Sequence, residues 1–169
     1  MTRHARHLLV IFAICAAAAG APAHAVTQTA AVNASAVKPL TLVLLRDLNL
    51  GTITLGTGAW SAATVGISRA GVFTCSAQVV CTGVPQVAQF NVNGTNKLVV
   101  QITAPNVTLV NQSDASKTLN LIIDNPGQVT LPNSGQSGTT FGLGGSVTLN
   151  PTTAGGIYRG TINVTVDYQ

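Results

Sequence analysis

The residues able to do chemistry in this chain are few, and their types exclude most of it. The acids are four aspartates, Asp47, Asp114, Asp124 and Asp167, and glutamate is absent. Acid–base catalysis by carboxylates needs two of them held together in environments that push their pKa values apart. Each of these four falls in or beside a turn, or on the outward side of a strand, and reads as a solvated surface group. The loops at Asp114 and Asp124 invite a calcium reading, but neither carries the dense Asp/Asn ladder that this cation takes. All three histidines, His4, His7 and His24, lie within the first 25 residues. Beyond them no serine or threonine has an imidazole to activate it as a nucleophile.

Cys75 and Cys81 are the two thiols left beyond Cys15. A zinc site would need further thiolate or imidazole ligands, and the sequence offers none nearby. Redox catalysis favours a Cys-x-x-Cys pair at a helix start, a spacing this pair does not have. In an oxidising compartment a disulfide is the expectation, and closing so short a loop stabilises a fold by about 2 kcal/mol. Gly142-Leu143-Gly144-Gly145 lacks the lysine and the following helix of a phosphate-binding loop. It reads as glycines that relieve strand curvature. Trp60 and Tyr158 have flat faces on which a sugar stacks, yet a lone tryptophan in a β-domain is more often core. Asn33, Asn93, Asn106, Asn111 and Asn163 begin Asn-x-Ser/Thr triplets, which Asn- and Thr-rich strands produce by chance. The chain reads as a non-enzyme without cofactor or metal.

Residues 1–25 have the pattern of a signal peptide. Arg3, His4, Arg6 and His7 form a basic start, Leu8 to Ala19 is apolar, and Ala23-His24-Ala25 supplies small residues for cleavage before Val26. The apolar run is short for a membrane span of about 20 residues. Beyond it the charges are Lys38, Arg46, Arg69, Lys97, Lys117 and Arg159 against the four aspartates, a net +2 rather than the +4 of the whole chain. Six scattered cations form no stripe for nucleic acid or anionic lipid. No integral membrane segment is expected once the leader is removed.

The rest of the sequence is one domain's worth of short strands. Residues 26–37 form a polar, alanine-rich arm in which Val26, Ala30, Val32, Ala34 and Ala36 share one parity. Lys38-Pro39 breaks it, because proline has no N–H for a ladder. Leu40 to Leu45 is an apolar strand, and Gly51 marks a bulge or bend after it. Trp60 to Ser68 and Gly71 to Thr74 are shorter strands around the cysteine loop. Residues 87–103, turning at Gly94-Thr95-Asn96, read as a hairpin. Val107 to Val110 and Leu119 to Ile123 are further strands, with a polar loop from Asn111 to Ser116 between them. Asp124-Asn125-Pro126-Gly127 ends the second of these in a type II turn. Asn133 to Gly138 reads as a flexible loop, and Phe141 to Leu149 as a glycine-interrupted strand. Ile162, Val164, Val166 and Tyr168 then alternate with Thr161, Asn163, Thr165 and Asp167 in a strand buried on one side. Roughly eight to ten strands without a helix predict an all-β, immunoglobulin-like β-sandwich over residues 38–169.

The residues Gly156-Ile157-Tyr158-Arg159-Gly160-Thr161, with the alternating strand that ends at Tyr168, resemble the C-terminal signature of chaperone–usher fimbrial subunits. Gly156 is fourteenth from the end and Tyr168 is the penultimate aromatic. The chain over residues 26–169 also resembles secreted, pilin-like bacterial β-domains of unknown function. Pro39-Leu40-Thr41 and Leu48, Gly51 and Ile53 carry that second likeness. The resemblance implies a sandwich missing one strand, completed by a strand from another protein. It implies Val26 to Ala36 as donor arm, and a subunit- or chaperone-binding edge at Gly156, Tyr158, Ile162, Val164, Val166 and Tyr168. The partners it implies are further copies or related subunits, a periplasmic chaperone and an outer-membrane usher. Periplasm, cell surface or fimbrium would be its location. The chain departs from the fimbrial pattern in its local Cys75–Cys81 spacing and in an arm built mainly of alanine. The alternative expectation is a self-complete, secreted sandwich that binds a carbohydrate or an envelope protein.

Overall fold

The computed structural model describes residues 26–132 and 138–169, so the expected signal peptide and most of the 133–138 loop lie outside the described residues. By its contacts the chain divides after Ser35. Residues 26–35 belong to the first unit; they form no strand and are exposed, with Val32 at 90% of its free area.

The second unit, Ala36–Gln169, is all-β among its described residues. In chain order its strands are β1 (Thr41–Arg46), β2 (Thr52–Leu55), β3 (Ala63–Ile67), β4 (Phe73–Cys75), β5 (Val79–Thr82), β6 (Ala88–Asn93) and β7 (Val99–Thr103). There follow β8 (Val107–Asn111), β9 (Thr118–Asp124), β10 (Gln128–Thr130), β11 (Thr139–Leu149), β12 (Tyr158–Arg159) and β13 (Thr165–Tyr168). All pairings are antiparallel. The larger sheet runs β1-β6-β11-β9-β8-β12, with β3 also on β11 and β4 on β3; β10-β7-β13 and β2-β5 are separate. Curled antiparallel sheets enclosing a shared interior are consistent with a β-sandwich.

The alternation expected from the sequence produces the core. In β6, Ala88, Phe90 and Val92 are buried while Gln89, Asn91 and Asn93 are not. Val100 and Ile102 of β7 meet them from the other sheet in one buried cluster with Phe141 and Leu143. Phe90 and Phe141 stack there at a centroid distance of 5.6 Å. A second cluster joins Ala63, Val65, Val79, Leu121, Val147 and Leu149. Strand β11 connects the two, pairing with β6 along Thr139–Leu143 and with β3 and β9 beyond Gly144.

One expectation needs correction. Residues 87–103 are not a hairpin: β6 pairs with β1 and β11, whereas β7 pairs with β10 and β13 in another sheet. Both strands alternate in the way a hairpin does, so pattern alone cannot tell a hairpin from a crossing between sheets. The glycines of β11 also answer to close packing. A Cβ on Gly142 would lie 2.6 Å from the Arg69 carbonyl, and one on Gly144 would strike Ile67, Ser68 and Arg69 backbone atoms. The β3–β4 turn is tied over them, Arg69 donating from its N–H and its guanidinium to Asp124 at 2.8 and 3.0 Å. The turn after β9 is as expected, with Gly127 at φ +74° in the position that a type II turn gives to glycine.

Candidate functional site

The site lies between two segments with open edges. Among the described residues β1 is hydrogen-bonded only to β6, and β13 only to β7. A groove of about 990 Å³ runs between the segment that follows β1 and the segment that precedes β13. One wall is the end of β1, the link Asp47–Gly51 and β2; the other is residues 153–162, carrying β12. Its floor is the core itself: Ala88, Phe90, Leu109, Leu121, Val147 and Leu149 all contribute. A closed sandwich would cover these side chains with a strand. Here no described strand covers them.

Each wall carries one short paired strand, β2 on β5 and β12 on β8, and holds the rest of its line by other contacts. On the first, Asn49 and Gln86 exchange two backbone hydrogen bonds of 2.8 Å, and Gln86 Nε2 donates to the Asp47 carbonyl at 3.0 Å. The Gly51 N–H donates to Asn49 Oδ1 at 2.8 Å, and Gly51 takes φ +78°, a conformation open to glycine. The expected bend at Gly51 is therefore present.

The second wall hangs on Asn111, which is 2% exposed. Its Nδ2 donates to the Gly155 carbonyl at 3.1 Å, and its Oδ1 accepts from the Ser113 and Asp114 N–H groups at 2.9 and 3.3 Å. The Gln112 N–H donates to the Ile157 carbonyl at 2.8 Å, and Tyr158 Oη to the Ala154 carbonyl at 2.8 Å. Gly156 fits against this amide. Its φ is +144°, and a Cβ there would lie 2.6 Å from Asn111 Oδ1. The same loop holds the exposed Asp114 carboxylate, which accepts hydrogen bonds from the Ser116 hydroxyl and N–H. These keep its pKa below the ordinary value.

The C-terminal residues singled out in the sequence fall along this wall and its continuation. Gly156, Tyr158 and Ile162 line the groove. Ile162, Val164, Val166 and Tyr168 pack against the first core cluster, and their alternation with exposed neighbours runs unbroken from Thr161 to Gln169. The ladder does not. Pairing begins at Thr165, so the strand expected from Ile162 is shorter, and Gly160–Val164 make no backbone hydrogen bond to any described residue. Buried or half-buried backbone polar groups are normally paired, so this stretch is an open row of donors and acceptors. Of the arm, Val26, Ala30, Val32 and Ala34 lie in the first unit and Ala36 at the start of the second.

The other candidates stay apart. Cys75 and Cys81 form the expected disulfide, Cα atoms 6.3 Å apart, between β4 and β5. No cluster of three or more metal-ligating side chains occurs among the described residues. Asp47, Asp114 and Asp167 are exposed, and Asp124 is spent on Arg69. Trp60 packs against the second cluster, with Nε1 donating to the Gly56 carbonyl at 3.1 Å.

Sequence reasoning passed over Asn111, placing it in a polar loop. Its signal was phase: Val107, Leu109 and Asn111 share the inward parity of β8, so an asparagine falls where a core residue belongs.

No curated protein and no solved structure is significantly similar to this chain. A family described as a domain of unknown function, DUF4402, matches residues 40–168, which span both walls of the groove and its floor. The chain belongs to the DUF4402 family.

Proposed function

We propose that this chain is a non-enzymatic structural subunit, exported with loss of residues 1–25, that assembles outside the cytoplasm by strand complementation. The observation that carries the reading is the groove, an opening onto the core beside Gly160–Val164, whose backbone has no ladder partner among the described residues. An extended strand entering it would bond to the open row at Gly160–Val164 and seat alternate side chains on the floor. The occupant is the arm of a second copy. Val26 to Ala36 can extend to roughly 35 Å at about 3.3 Å per residue. Five of the six alternate positions of that arm, Val26, Ala30, Val32, Ala34 and Ala36, are apolar, with Gln28 the exception. On this reading the domain is an immunoglobulin-like sandwich lacking one strand, related to pilin-like subunits. The same edge would serve a periplasmic chaperone and an outer-membrane usher before polymerisation.

Deleting Val26–Ala36 from the exported chain tests the reading. A folded monomer that has lost the multimers and binds a synthetic Val26–Val37 peptide is the expected result. Unfolding of an isolated monomer on deletion would instead make the arm an ordinary first strand of a complete sandwich.

A further inference from the structure

Three hydrogen bonds close a ring at the root of the arm, and neither wall of the groove accounts for them. Tyr168 Oη donates to the Lys38 carbonyl at 2.6 Å. The Thr95 N–H donates to Tyr168 Oη at 2.6 Å, and the Lys38 N–H donates to Thr95 Oγ1 at 2.6 Å. Both backbone groups of Lys38 are thereby used. The next residue is Pro39, which restricts Lys38 to extended conformations and so disfavours a tight turn at this point. Gly94 leaves room for the ring, since a Cβ there would meet Tyr168 Oη.

The position of this ring matters for which groove an arm fills. Lys38 stands three residues before β1, whose continuation is the first wall. Tyr168 ends β13, whose preceding segment is the second wall. The Tyr168–Lys38 bond thus ties the two open edges together at one end of the gap. A chain's own arm could fill its own groove only by reversing at Lys38 and running back along β1. That path passes between Lys38 and Tyr168.

Such closure must be blocked for polymers to form. A tethered strand meets its own groove at an effective concentration in the millimolar range, so closure within one chain would outcompete exchange between chains. We infer that the Tyr168–Lys38–Thr95 ring is a gate against self-complementation, which directs the arm to the groove of another copy. This rests on the complementation reading above and adds a role to the penultimate tyrosine: it fixes the direction of donation.

The test uses the exported chain in three forms: unaltered, Tyr168→Phe and Thr95→Val. The first substitution keeps the packed ring and removes the hydroxyl; the second leaves Tyr168 intact and removes the acceptor for Lys38. Light scattering after size exclusion gives the assembly state, and hydrogen exchange reports on the amides of Val26–Ala36. The expected result is multimers from the unaltered chain and their loss in both variants, whose monomers show protected arm amides. Variants that multimerise like the unaltered chain overturn the gate and leave the complementation reading standing. Variant monomers with freely exchanging arms also overturn it, since tyrosine would then only support its strand. An unaltered chain that stays monomeric, exchanges freely along its arm and binds no Val26–Val37 peptide overturns both.

Discussion

Gly156 shows how a single position couples backbone conformation to a buried side chain. Its φ of +144° is costly for any residue with a Cβ, and the Asn111 amide fills the space that Cβ would take. Asn111 cannot yield, because it satisfies the Gly155 carbonyl and two N–H groups of its own loop. Strained backbone of this kind costs about 1–3 kcal/mol, before the loss of a buried hydrogen bond is added. Gly156→Val is therefore expected to lower unfolding stability by about 2 kcal/mol or more, read as a fall in the denaturant midpoint at unchanged slope. At Gly160, whose φ is not positive, the nearest atoms to a Cβ belong to the Leu109 and Val107 side chains and the Thr108 carbonyl, so the contrast between Gly156→Val and Gly160→Val gives the joint contribution of the positive φ and the asparagine.

At the scale of elements, the strands were legible and their partners were not. β1, β9 and β11 lie within one or two residues of the apolar run, the alternating run and the glycine-interrupted run read for them, and in β9 the two faces are written into every second residue. Partner choice leaves no such mark. β6 and β7 are neighbours in sequence with matching patterns, yet they lie in different sheets. The groove was legible only through its C-terminal wall; Asn49, Gln86 and Asn111, which fix the walls, are polar residues whose work depends on contacts distant in sequence. The arm poses the same problem of fit. The parity proposed to face inward holds Val26, Gln28 and Val32 with Ala30, Ala34 and Ala36, so on the complementation reading it would fill a groove of about 990 Å³ sparingly. Each alanine seated in place of valine forgoes more than about 1 kcal/mol, at ~0.8 kcal/mol per buried CH₂. Ala34→Val is expected to slow subunit dissociation by roughly fivefold to tenfold, since affinity within one interface is set mainly by the off-rate. Ala31→Val, on the opposite parity, should leave the rate unchanged. Dissociation measured after dilution compares the two.

For the whole molecule, the complementation reading makes donor and acceptor different surfaces of one chain. Contacts of that type are heterologous, and they propagate into open filaments unless a rotation happens to close them. Each copy then offers one groove and one arm, so growth has two unlike ends. The net charge of +2 over residues 26–169 is too small for self-repulsion to limit stacking. A copy without Val26–Ala36 accepts an arm and offers none, which makes it a cap for one end. Mixing one such copy with about ten intact chains is expected to limit filaments to about ten subunits, because a heterologous chain stops at its first acceptor-only member. Electron microscopy or sedimentation gives the length distribution. Assembly through a closed ring, or through an isologous face, predicts instead that truncated copies are excluded and that lengths do not fall with their proportion. The dependence of length on the mixing ratio thus separates directional strand exchange from every symmetric mode of association open to a β-domain with exposed edges.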